Sequence, residues 1–245
     1  MTEYVVLVGA AIVAGVLNAI AGGGSFISLP ALLFYGVAPI TANATSAASL
    51  LPGYVGSLFG FRRDVAPPPA LGVKGVALIA LVGGVSCALL LLASGDQAFS
   101  AVVPWLMLFA TVVFAFSPQI KRLSRGRHWP LPLVVGALFA TCVYGGYFNG
   151  GAGIVIIALL GLLGDVPLLA SVATKSLFSV VMGGVSVATY AAFGLIHWPL
   201  ALLMAVGAAA GGVLGARLSY RLPSWLHRSG IVVIGGLVTV VMFNQ

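Results

Sequence analysis

The chain has 245 residues with eleven basic and four acidic side chains; 6% of it is charged, 61% is hydrophobic, and the mean hydropathy is +1.17. A water-soluble domain is about one quarter charged and cannot bury so large an apolar share, because a chain of this size keeps much of its area in solvent. The apolar stretches are continuous and do not alternate in short strands, which excludes an outer-membrane barrel and leaves an all-α polytopic membrane protein.

In chain order, about ten apolar segments cover residues 4–21, 25–35, 42–61, 70–93, 99–117, 131–149, 154–163, 167–193, 198–216 and 229–243. The first opens on Glu3 in place of a basic stretch, so it is expected to stay in the protein and not to be cleaved as a signal peptide. Segments two and seven are short. At a rise of about 1.5 Å per residue they span about half of a hydrocarbon core of about 30 Å. Their glycine-rich starts are therefore expected near the membrane midplane, in helices that are short or broken, either crossing or re-entrant.

The two halves repeat. Ala21, Gly22, Gly23 and Gly24, then Gly36 to Pro39, then Ala44, Thr45 and Ser46 form one series. Gly150, Gly151, Ala152 and Gly153, then Gly164 to Pro167, then Ala173, Thr174 and Lys175 form the other, 128 to 129 residues later. Gly83 and Gly84 recur as Gly211 and Gly212 at the same offset. An odd number of segments in each half predicts two inverted-topology repeats. The expected domains are an N-terminal membrane repeat over 1–117, a basic linker over 118–130 and an inverted C-terminal repeat over 131–245.

Counting crossings from the N-terminus puts Arg62, Arg63, Lys74, Lys121, Arg122, Arg125, Arg127, Arg217, Arg221 and Arg228 on one side, with Glu3 and Asp96 on the other. The positive-inside rule then predicts an inner-membrane, multi-pass protein with cytoplasmic basic loops and both termini extracytoplasmic. Those charges read as anchors of helix ends, so the net charge of +7 calls for no nucleic acid.

Chemistry is sparse. Cys87 and Cys142 make neither a disulfide framework nor a thiolate metal site, and His128, His197 and His227 are scattered without carboxylates. No nucleophile elbow or phosphate loop is present, so an enzyme is not expected, and no cofactor or metal is expected either. No carboxylate lies deep in a segment; Asp165, before Pro167, reads as a helix cap. Gly207, Gly211 and Gly215 mark a close-packing helix.

What remains points to an anion. A glycine turn followed by a helix start presents free backbone N–H groups and the positive end of the macrodipole. The candidate substrate-binding set is Gly22, Gly23, Gly24 and Ser25 in the first half and Gly150, Gly151 and Gly153 in the second. Three asparagines flank these motifs: Asn18, Asn43 and Asn149. Thr45, Ser46 and Thr174 lie one to two turns inside their segments, and Lys175 is the one basic residue deep in an apolar run. Each has a bland alternative: glycines that only allow close packing, hydroxyls bonded to their own helix, a lysine snorkelling to an interface.

These motifs resemble the TauE/SafE family of membrane transporters, named for sulfite export. The resemblance rests on AGGGSFISLPALLFYGVAPITANATS over residues 21–46, GGYFNGGAGIVIIALLGLLGDVPLLASVATKS over 145–176 and WPLALLMAVGAAAGGVLGARLSYRL over 198–222. Ser25 stands where a further glycine is frequent, and Lys175 where a small hydroxyl residue is expected. The resemblance implies two inverted repeats that move small sulfur-containing anions such as sulfite or organosulfonates. The expectation is an exporter working by alternating access as the repeats rock around a mid-membrane anion site. An anion channel or uptake permease on the same scaffold, and a non-transporting membrane scaffold, stay open. The expected partners are a small anionic substrate and the lipid bilayer, with no nucleic acid; a homodimer stays open.

Overall fold

The computed structural model describes residues 2–21, 23–116, 119, 122, 129–148, 152–162, 168–219, 232–233, 236–237 and 239–240. The described elements are helical: α1 (Thr2–Ala21), α2 (Ser25–Phe34), α3 (Pro39–Gly60), α4 (Gly72–Ala115), α5 (Leu131–Phe148), α6 (Ala152–Gly161), α7 (Leu168–Ala192) and α8 (Trp198–Ser219). Four stretches are long and apolar enough to cross a membrane: Gly72–Val113, Leu131–Phe148, Ala170–Ala192 and Trp198–Gly215. The tenth apolar segment falls mostly outside the described residues.

At 44 residues, α4 would extend about 66 Å if straight, twice the hydrocarbon core. It folds back instead at Gly95, whose φ of 70° and ψ of 161° suit a residue without a Cβ. Contacts with α5 trace the reversal. Gly83 lies against Cys142, Cys87 against Gly146, and the Tyr147 hydroxyl donates to Ser94 Oγ at 3.0 Å, so the first limb runs along α5 in the same direction. Beyond Gly95 the order inverts: Phe99 meets the Tyr147 ring at 5.4 Å and Phe109 the Tyr144 ring at 5.3 Å. The two apolar segments read from the sequence are thus the limbs of one helical hairpin.

The short helices α2 and α6 each close a second kind of hairpin. Tyr4 at the start of α1 meets Tyr35 at the end of α2, ring centroids 6.2 Å apart. The Trp129 N–H, ahead of α5, donates to the Leu162 carbonyl, just past α6, at 3.0 Å. In each pair the chain returns to the level at which the first helix began, so α1–α2 and α5–α6 are hairpins. A helix of ten residues reaches only about 15 Å, and its glycine-rich start therefore lies inside the bundle.

The core clusters show which way each hairpin opens. One cluster joins Leu7 of α1, Leu29 and Leu32 of α2, Ile40 of α3, Leu91 of α4, Tyr190 of α7 and Leu200 of α8. Another joins Val76 of α4, Val134 of α5, Leu160 of α6, and Phe178 and Met182 of α7. The first limb of α4 runs from Val76 in the second cluster to Leu91 in the first, and α7 from Phe178 to Tyr190, so the clusters occupy opposite ends of the bundle. Hairpin α1–α2 opens at one end and α5–α6 at the other. The tip residues Tyr147, Phe148 and Ile154 reach across into the first cluster.

Glycine sets the closest crossings. Methyl groups at Gly207 and Gly215 of α8 would lie 3.0 Å from the Val8 carbonyl and 2.6 Å from the Val16 carbonyl of α1, and Gly211 meets the Ile12 carbonyl between them. This is the four-residue stripe expected of α8. The Gly83–Cys142 and Cys87–Gly146 contacts repeat the arrangement between α4 and α5 with the same step of four residues. Helix α3 also packs on α7 and α8, and α7 on α4.

Candidate functional site

The hairpin tips are built by close approach. At the first, a Cβ on Gly24 would lie 2.8 Å from the Ala14 carbonyl, 3.0 Å from Asn18 Cβ and 3.1 Å from Leu50 Cδ2, so α1, α2 and α3 converge there only around a glycine. No side chain caps α2; the Phe26 N–H donates to the Gly23 carbonyl at 3.2 Å and the Ile27 and Ser28 N–H groups to the Gly24 carbonyl at 3.1 and 3.2 Å, so the glycine turn takes up these amides. At the second tip, a Cβ on Gly145 would lie 2.5 Å from Ala152 Cβ, which brings the end of α5 onto the start of α6. The tips meet: Phe26, in the first turn of α2, and Phe148, the last residue of α5, have ring centroids 6.3 Å apart at 84°. Asn43 Nδ2 donates to the Tyr147 carbonyl at 2.8 Å, tying α3 to the second tip.

Lys175 is 8% exposed in the interior of α7. Its stem crosses the first turn of α6, where a Cβ on Gly153 would lie 2.6 Å from Cε and 3.4 Å from Nζ. Among the described residues no carboxylate pairs with it; Asp96 is engaged elsewhere, accepting the Ile40 N–H at 2.9 Å. An ammonium beside the N-terminal turn of a helix adds positive charge to the positive end of a dipole. Thr174, next to it, is fully buried and its hydroxyl has no partner.

The first half carries neutral oxygens in place of a charge. Ser28 Oγ donates to the Gly24 carbonyl at 3.2 Å and lies 2.6 Å from Ser46 Oγ. Thr45 Oγ1 accepts the His197 N–H at 3.0 Å, which joins α3 to the turn before α8. Ser25 Oγ and Asn18 Oδ1 are buried without partners. At the offset of 129 residues, Ser46 corresponds to Lys175, Thr45 to Thr174 and Gly24 to Gly153, while Ser25 and Ser28 correspond to Ile154 and Ile157.

Of the sequence-expected residues, Asn18, Gly23, Gly24, Ser25, Asn43, Thr45, Ser46, Gly153, Thr174 and Lys175 are described and all are buried. Gly22, Asn149, Gly150 and Gly151 lie outside the described residues, as does Asp165. Asn43 and Thr45 already spend one hydrogen bond each on the fold. Ser28 was not anticipated, although it stands three residues after Ser25 on one face of an otherwise apolar helix. Among the described residues no cluster of His, Cys, Asp or Glu suits a metal ion.

A family described as "Sulfite exporter TauE/SafE" matches the chain over residues 7–242. The chain belongs to this family. Among similar proteins, a "Probable membrane transporter protein" of Haemophilus influenzae is 30% identical, the match covering 94% of this chain and 90% of that protein. "Probable membrane transporter protein ORF9" of a Sinorhizobium species is 28% identical over 92% and 86% of the two chains. "Probable membrane transporter protein YfcA" of Escherichia coli K12 is 26% identical over 94% and 85%. The protein is thus a multi-pass membrane transporter of the TauE/SafE family.

Proposed function

We propose that this transporter exports a small sulfur-containing oxyanion, such as sulfite or an organosulfonate, by alternating access around a site at the two hairpin tips. The observation that carries the reading is Lys175. A buried ammonium against the positive end of α6, with no carboxylate paired to it among the described residues, is electrostatically incomplete until an anion sits between them. In this reading the anion takes Lys175 Nζ, the Thr174 hydroxyl and backbone amides at the start of α6, with Gly153 giving the lysine stem its room. Gly22, Asn149, Gly150 and Gly151 join the set by their place in the motifs. The tip around Gly23, Gly24 and Ser25, with Asn43, Thr45 and Ser46 behind it, forms the facing wall.

Two inverted repeats, 1–117 and 131–245, about the linker 118–130 complete the proposal. It is supported by hairpins that open at opposite ends and by the glycine crossings shared between α1–α8 and α4–α5. The basic loops are cytoplasmic in this reading and both termini extracytoplasmic, in the inner membrane. An inside-negative potential then favours anion exit by about 2.3 kcal/mol per charge per 100 mV, so export needs no carboxylate relay.

The test is flux in liposomes of purified protein, with sulfite, sulfate and chloride under an imposed potential. Saturable, potential-sensitive movement of a sulfur oxyanion, lost in Lys175→Ala while the variant keeps its melting behaviour, is the expected result. A conductance that never saturates would make the protein a channel. No flux of any anion, with Lys175→Ala indistinguishable from wild type, would leave a scaffold.

A further inference from the structure

The line along which α3 meets α7 is the looser packing in the bundle. A Cβ on Gly183 of α7 would lie 3.5 Å from Tyr54 Cδ2 and 3.6 Å from Leu51 Cδ1 of α3, ordinary contact distances to side chains. On either side of that line glycine admits closer approach. A Cβ on Gly84 of α4 would lie 3.0 Å from the Met182 carbonyl of α7, and one on Gly24 of α2 lies 2.8 Å from the Ala14 carbonyl of α1 and 3.1 Å from Leu50 of α3.

Two hydrogen bonds cross from the start of α3 to the α4–α5 side. Ile40 stands second in α3, where an N–H has no acceptor within its own helix, and no neighbouring side chain caps it. Asp96, beside the bend of α4, supplies the acceptor: its Oδ1 takes the Ile40 N–H at 2.9 Å, a carboxylate at the positive end of a helix. One turn further, Asn43 is 2% exposed and donates Nδ2 to the Tyr147 carbonyl, near the end of α5, at 2.8 Å. The Phe26 and Phe148 rings bridge the same two sides. Ile40, Phe26, Leu91, Phe99, Tyr147 and Phe148 all belong to the first core cluster, so these ties gather at one end of the bundle. At the offset of 129 residues Asn43 corresponds to Val172, which has no amide to give, so this tie is not repeated in the second half.

Resting on the alternating-access reading above, we propose that Asp96 and Asn43 form the latch of a gate at this end of the bundle. The gate is closed in this structure, and it opens when the first turns of α3 part from the α4 bend and the end of α5. Both bonds favour the closed arrangement alone, since water takes over the Ile40 N–H and the Tyr147 carbonyl once they separate. Removing a bond therefore raises the open population by the factor that the bond was worth.

Ser46→Cys reports on the opening. It lies three residues beyond Asn43 on the same face of α3, and Ser46 is 1% exposed. In liposomes, a membrane-impermeant maleimide is applied to the side from which Gln97→Cys, exposed next to Asp96, reacts. Asp96→Ala and Asn43→Ala should each speed labelling of Ser46→Cys from that side by about tenfold, and the pair together by more. Asp96→Asn keeps an oxygen for the Ile40 N–H and should speed it less than Asp96→Ala. Asp96 is exposed, so Asp96→Ala carries the test if the buried Asn43→Ala does not fold. Cys87 and Cys142, both buried, should stay unlabelled throughout. Unchanged labelling of Ser46→Cys in every variant that folds overturns the latch, and anion flux through the wild-type protein then leaves the transporter reading intact. Equal acceleration at Cys87 or Cys142 also overturns it, because the ties would then hold the fold and not a gate. No flux of sulfite, sulfate or chloride through the wild-type protein removes the transporter reading and the latch with it.

Discussion

Replacing Gly153 by alanine tests whether the lysine and the start of α6 form one site. The new Cβ arrives 2.6 Å from Lys175 Cε, where ordinary carbon contacts are about 3.5–4.0 Å, so the methylene must withdraw by about 1 Å. The obstacle is the far part of a flexible stem, and alanine in place of glycine favours a helix by about 1 kcal/mol. Net stability should therefore change by less than about 1 kcal/mol. The ammonium is displaced from the α6 amides, and a misplacement of about 1 Å in a positioned group can cost as much as 100-fold in function; a flux loss of tenfold or more is expected. Gly211→Ala is the control of opposite character. Its Cβ meets the Ile12 backbone carbonyl, which has no rotamer to change, and overpacking of this kind costs about 1–3 kcal/mol or more. Thermal unfolding in detergent and anion flux in liposomes read the two effects. Wild-type flux in folded Gly153→Ala, or a destabilisation matching that of Gly211→Ala, would refute the reasoning.

Thr174→Val should separate stability from function in the same direction. The hydroxyl it removes is buried and unpaired, so the variant should gain up to about 1–3 kcal/mol and melt higher, while anion flux falls. A lower melting temperature would show that the hydroxyl does have a partner. Tyr4→Cys with Tyr35→Cys, in a background of Cys87→Ser and Cys142→Ser, should cross-link under mild oxidation and react from the same side of the membrane. Labelling from opposite sides would mean that α2 crosses the bilayer and is not re-entrant.

The helices were legible because they depend on local quantities. Continuous apolar runs gave the segments, the brevity of 25–35 and 154–163 gave the half-helices, and the glycine step in α8 gave its tight crossing. The sequence also placed Lys175 at a buried position opposite Ser46 in the repeat. The closing of the two hairpins was not legible, since it depends on Tyr4 meeting Tyr35 and Trp129 meeting Leu162, contacts between residues far apart in the chain. The same holds for the hydroxyl and amide partners. Thr45 receives its hydrogen bond from His197, 152 residues away, and Asn43 spends its amide on Tyr147, 104 residues away. Whether a polar side chain in an apolar run is free for a ligand is decided by such tertiary neighbours, and residue type alone does not reveal it.

The glycine crossings carry a mechanical consequence. On α1 the glycines of α8 meet backbone with no side chain to slide between, and between α4 and α5 Gly83 and Gly146 seat the side chains of Cys142 and Cys87, so α1 with α8, and α5 with α4, each pack as one beam. Each beam draws its two helices from different halves of the chain. Under the alternating access proposed above, the bodies that rock would therefore not be the two halves of the chain on either side of residues 118–130. Each is a hybrid, a hairpin from one half of the chain strapped to a long apolar helix of the other. Severing the chain at the linker would cut through neither beam, but the halves made separately would each lack the surface against which their hairpin is braced.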